Sequence, residues 1–172
     1  MERISKSGLL GFLDVFDREA GMNMLLVAVG GTAMTLLGLK PSTKDIDFNI
    51  PSDRDLREFR RLRERMAPGV KIDVWGGNMI FTERMPDDYI KRSSEYSPGK
   101  FKKIRVMVLS PMDIVCSKIS RLNDADIEDI KDCIKLKRIT KRQLKARANQ
   151  FSRAGNDQIF AENLEYILKE MF

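Results

Sequence analysis

The chain has 172 residues, 42% hydrophobic and 8% aromatic, which is enough to bury the core of one domain or of a domain with a small appendage. It contains no histidine, and this excludes Ser-His-Asp and Cys-His triads, histidine general bases and imidazole-bound zinc. Catalysis would have to use carboxylates, lysine, hydroxyls or an oxygen-bound metal, and a formal net charge of +6 suits a polyanionic partner.

In chain order, "SGLLGFLDVFDREAG" places Leu9, Leu10, Phe12, Leu13 and Phe16 at helical spacing and predicts an amphipathic helix over 7–20, capped by Ser7. "MLLVAV" is short and continuously apolar, as a buried strand is; "GTAMTLLGL" predicts a short helix and "DIDFNI" a second strand. Ser52 or Asp53 then caps "RDLREFRRLRERM", with Leu56, Phe59 and Leu62 on its buried side, and "VKIDVWGG" is a third strand ending in a glycine turn.

"ERMPDDYIKRSSEYSPGK" has weak periodicity and predicts a long surface excursion bordering the active site. "FKKIRVMVL" returns to strand pattern, and helices follow over 111–122, 126–137, 140–153 and 157–171. The expected fold is α/β of the α+β kind: a small mixed sheet with flanking helices in a core over 1–110, then a helical subdomain over 111–172. Cys116 and Cys133 lack metal-ligand spacing and read as small buried residues. The longest apolar runs fall far short of the roughly 20 residues that cross a bilayer, and no signal-peptide pattern opens the chain, so the expectation is a cytoplasmic protein with no membrane partner.

Side chains two apart on a strand share a face, so Asp45 and Asp47 aim their carboxylates at one small volume while Ile46 and Phe48 face the core. Like charges so close repel unless a cation lies between them, and magnesium, or manganese, is the hard cation that favours such oxygen ligands together with phosphate. Asp73 in "KIDVW" occupies a similar place, and adjacent strands would bring the three aspartates together as metal ligands and catalytic groups. Gly30 and Gly31 at a strand-to-helix turn let backbone N–H groups approach phosphate oxygens, and Thr32 supplies a hydroxyl there. No Walker lysine and no G-x-G-x-x-G accompany them.

On "GGTA", "STKDIDF" and "KIDVW" the chain resembles the nucleotidyltransferase superfamily that includes DNA polymerase β, and within it the AbiEii-like toxins and related nucleotidyltransferase-like families. The resemblance implies that Asp45 and Asp47 bind metal and that Asp73 helps activate an acceptor hydroxyl. It extends to "LSPMDIVCSKISRLNDADIEDI", implying a phosphate contact for Lys118 and a second acidic element at Asp126 and Asp129. On the residues alone, Asp126 serves equally as a helix cap, Lys118 and Arg121 as surface partners of nearby acids, and Asp113 as a first-turn acid.

The function expected is magnesium-dependent transfer of a nucleoside monophosphate from a nucleoside triphosphate such as ATP to a hydroxyl of an RNA 3′ end or a protein side chain. The toxin resemblance adds an antitoxin as partner. Two alternatives stand beside it: a non-catalytic module binding nucleotide, RNA or protein, and nucleotidylation of a small cationic acceptor near the acidic "DADIEDIKD". The basic helices would guide a nucleic-acid acceptor by releasing phosphate counterions.

Overall fold

The computed structural model describes residues 3–66, 69–97, 99–153, 155 and 157–172. The first half runs β1 (Ile4–Ser5), α1 (Lys6–Glu19), β2 (Met24–Ala28), α2 (Gly30–Leu36), β3 (Ser42–Thr43), β4 (Ile46–Ile50), α3 (Asp53–Met66) and β5 (Ile72–Gly76). There follow β6 (Met79–Ile80), β7 (Glu83–Arg84), α4 (Tyr89–Arg92), β8 (Ser94–Glu95) and β9 (Ile104–Val108). The chain closes with α5 (Pro111–Lys118), α6 (Asp124–Lys137), α7 (Lys141–Ala148), β10 (Ser152–Arg153) and α8 (Asp157–Glu170).

The fold is α+β. A five-stranded mixed sheet in the order β5-β4-β2-β9-β8 forms its centre, with β2/β9 and β4/β5 parallel and the other pairs antiparallel. β4 is buried along its whole length, and alternation splits it: Phe48 meets Phe59 of α3, which in turn stacks on Phe16 of α1, while Asp47 and Asn49 share the other face. Leu9, Leu13 and Phe16 are the buried stripe of α1, whose cap is Ser5, accepting from the Gly8 amide, and not the expected Ser7.

The segment read as a surface excursion is better anchored than its weak periodicity suggests. β8 supplies the edge of the main sheet, and the buried Tyr89 hydroxyl donates to Asn49 Oδ1 at 2.6 Å. Asn49 Nδ2 in turn donates to the carbonyls of Gly77 and Met79 at 3.0 and 2.9 Å, so the β6–β7 hairpin hangs from the central strand. The helix expected over 140–153 ends at Ala148, because Ser152 and Arg153 pair with β7 instead. Asp113 stands in the first turn of α5 as expected, but it is fully buried and holds Arg147 of α7 through two hydrogen bonds of 2.5 and 3.1 Å. Both cysteines are free and buried, and burial pushes their thiols up, Cys133 to about 12. No helix among the described residues is long and apolar enough to cross a membrane.

The Asp113–Arg147 pair ties α5 to α7. Asp113→Ala would leave the buried Arg147 guanidinium only its Nη1 contacts with Asp88 and Gln150 and lower unfolding stability by about 3 kcal/mol, whereas Asp113→Leu with Arg147→Met should recover most of that loss. Urea unfolding midpoints of the three chains check this.

Candidate active site

A cavity of about 300 Å³ opens where β2 ends and β4 and β5 begin, and Gly30, Gly31, Asp45, Asp47, Asp73 and Lys118 all line it. A larger cavity of about 470 Å³, lined by Leu25, Arg54, Tyr96 and Arg105, lies at the opposite end of β2 and contains none of the residues singled out from the sequence.

Backbone register brings the carboxylates together. β4 and β5 are parallel with Asp47 paired to Asp73, so the two side chains leave the same face of neighbouring strands. β4 begins at Ile46, so Asp45 stands just outside the strand, half-buried at its mouth. The Thr32 hydroxyl holds this segment: it accepts from the Asp47 amide at 2.8 Å and donates to the Asp45 carbonyl at 3.3 Å, a carbonyl that Thr43 also reaches at 3.0 Å. Thr32 is fully buried, so its hydroxyl braces the aspartates and does not face the cavity as a phosphate ligand.

The glycines answer the same crowding. Gly30 takes φ +52°, and a Cβ there would lie 3.0 Å from Asp47 Oδ2; a Cβ on Gly31 would collide with Thr43 Oγ1.

Burial, followed by the charges of Asp45 and Asp73, pushes the Asp47 carboxyl up to about 6, against the opposing pull of Lys118 and Arg121. The three aspartates share a cavity but do not close into a cage: among the described residues no three His, Cys, Asp or Glu side chains gather closely enough to hold an ion. Asp73 is engaged by Lys71 at 2.5 Å. The donor set nevertheless fits magnesium chemically, since that ion is commonly held by one or two carboxylates with phosphate and water completing its shell.

Asp126 and Asp129 do not form a separate acidic site. Both are buried, and they accept Lys118 at 2.8 and 2.9 Å, while Arg121 adds to Asp126 at 3.0 Å and Lys40 to Asp129 at 2.6 Å. The cap of α6 is Asn123, which accepts from the Asp126 amide. The two acids are thus counter-ions that position three cations at the cavity.

With Arg3, Lys44 and Lys71 these make six cationic side chains against three carboxylates in the lining. Sequence reasoning passed over Lys44 and Lys71, although a lysine stands beside each aspartate element in "TKDID" and "VKID". It also passed over Phe81, which lines the cavity from the β6–β7 turn at φ +53°. That conformation costs a non-glycine residue on the order of 1–2 kcal/mol.

Residues 12–167 match the family described as "Nucleotidyltransferase of unknown function" (DUF6036). The chain belongs to that family. The match reaches the nucleotidyltransferase superfamily and stops short of the AbiEii-like branch within it. Among curated proteins nothing matches, and nothing matches among solved structures.

Because the folded protein holds the Asp47 proton more tightly than the unfolded chain, whose carboxyl sits near 3.8, this group supports stability most below about pH 4 and loses that contribution as pH rises through about 6. A shift of that size corresponds to about 3 kcal/mol. Asp47→Asn should therefore be the more stable protein at pH 7 and lack the wild-type decline between pH 4.5 and 7, as thermal melts across that range would show.

Proposed function

We propose that the chain is a magnesium-dependent enzyme that moves a nucleoside monophosphate from a nucleoside triphosphate, ATP among them, to a hydroxyl on an RNA 3′ end or a protein side chain. One observation carries the reading: three carboxylates and a surplus of cations line a single cavity at a glycine turn. A triphosphate calls for both signs, cations for its oxygens and carboxylates for the divalent ion it travels with. A small cationic acceptor would meet the same surplus as repulsion.

In this reading Asp45 and Asp47 would hold magnesium, or manganese, whose contribution is to neutralise charge on the phosphate oxygens. Lys118, positioned by Asp126 and Asp129, contacts phosphate, and the Gly30–Gly31 turn lets the backbone approach it. The acceptor oxygen bonds to the α-phosphorus as the bond from that phosphorus to the β-phosphate oxygen breaks and pyrophosphate departs. The acceptor proton passes to the Asp73 carboxylate, which requires Lys71 to yield its place there.

That last requirement favours a second reading, in which the same cavity binds nucleotide, RNA or a partner protein without turnover and Lys71 stays on Asp73. Incubation with magnesium and each of the four labelled triphosphates, alone and with total RNA or cell extract, separates the two. Transfer is expected, with loss on chelation and at least about a 100-fold loss in Asp47→Asn. Nucleotide binding without transfer to any acceptor would establish the binding module instead.

A further inference from the structure

We propose that Phe81 and Arg121 form the shelf on which the base of the incoming nucleotide stacks, so that the site holds nucleotides by their π-faces and not by a hydrogen-bond pattern. The proposal rests on the nucleotidyltransferase reading above and adds the part of the substrate that reading leaves unplaced. Phe81 lies against the Trp75 ring, centroids 4.6 Å apart, and the Arg121 guanidinium carbon sits 3.8 Å from the Phe81 centroid.

Orientation of the arginine is the informative feature. Arg–carboxylate pairs commonly engage both oxygens, and Asp126 Oδ2 is buried with no hydrogen-bond partner among the described residues. Arg121 nevertheless bonds only Oδ1 and lies over the aromatic ring instead. A second planar fork contact is forgone in favour of stacking, and the bulky ring beneath is held in a left-handed backbone conformation that only a few per cent of non-glycine residues adopt. Arg121 keeps 37% of its side chain exposed, Phe81 is partly exposed, and both residues line the cavity.

The same Asp126 oxygen also receives Lys118, which places an ammonium point charge beside a guanidinium plane. Arg121 and Phe81 line the same cavity as Asp47 and Lys118, so the plane adjoins the phosphate-handling groups and not a remote acceptor surface. Every base has a π-face, so such a shelf accepts all four nucleotides and holds the larger purines more tightly.

The test is calorimetric titration of the full chain, with magnesium, by ATP, CTP and inorganic tripolyphosphate. The variants are Phe81→Leu, which removes the ring's π-face, and Arg121→Lys, which keeps charge and loses the plane. ATP affinity should fall about tenfold in each variant and CTP affinity by less, while tripolyphosphate affinity stays within about twofold of wild type. Trp75, the chain's one tryptophan, supplies a readout in the unmodified protein: its emission should change with ATP and not with tripolyphosphate. Parallel losses for ATP and tripolyphosphate, or no loss for either, would overturn the shelf and leave the transferase reading standing. A wild-type chain that binds neither would overturn both. Should Phe81→Leu fail to fold, the partly exposed Arg121 site and the Trp75 signal still decide the matter.

Discussion

The cavity depends on one constraint, the parallel register that sets Asp47 of β4 beside Asp73 of β5. Carboxylates opposite one another on adjacent strands repel, and burial sharpens the repulsion. Slipping β4 by one residue would relieve it, but only by turning Phe48 out of its contact with Phe59 and sending Asp47 into that apolar layer. The aromatic face of the sheet thus holds the charged face in place. Thr32 and Thr43 add hydrogen bonds to the strand entrance, and the two glycines exist where any side chain would strike Asp47 or Thr43.

Compensating charge comes from elsewhere in the chain. Lys118 is 4% exposed, and a buried ammonium is tolerated only when paired, which Asp126 and Asp129 accomplish from the first turns of α6. Arg121 and Lys40 join the same two acids, giving three cations against two carboxylates in a cluster that faces the aspartates. The cavity therefore draws one wall from the sheet and the other from the C-terminal helices, whose acidic residues serve to aim cations.

Period-two alternation was sufficient to bring out Asp47 and Asp73 on one face, with Asp45 just outside β4, and the glycine turn before them was equally legible, because both are local patterns with a direct geometric meaning. What escaped was non-local. Nothing near Asp113 announces that Arg147, 34 residues away, will bury it. The edge strands β8 and β10 are two residues long, too short to carry a period, and exist because β9 and β7 offer partners. Thr32 looked like a phosphate ligand because its place at the turn is visible in sequence, whereas the direction of its hydroxyl is set by the backbone of residues 45 and 47. Phe81 lacked any signal, since a left-handed aromatic residue is what local propensity argues against.

Two locally unfavourable features, a repelled carboxylate and a strained aromatic, are carried by one strand. Asp47 and Asn49 lie on the same face of β4, and Asn49 fixes the hairpin bearing Phe81 by donating to the Gly77 and Met79 carbonyls while accepting from Tyr89. Because Asn49 is fully buried and its amide satisfied, the hairpin cannot swing away without orphaning polar groups in the interior. The aromatic surface is thereby kept at a set distance from the charge cluster. A chain selected for stability alone would have softened both features, placing an amide at position 47 and a glycine at position 81; retaining them together, on a rigid strand and around one cavity, is the pattern expected where local cost is tolerated for a ligand.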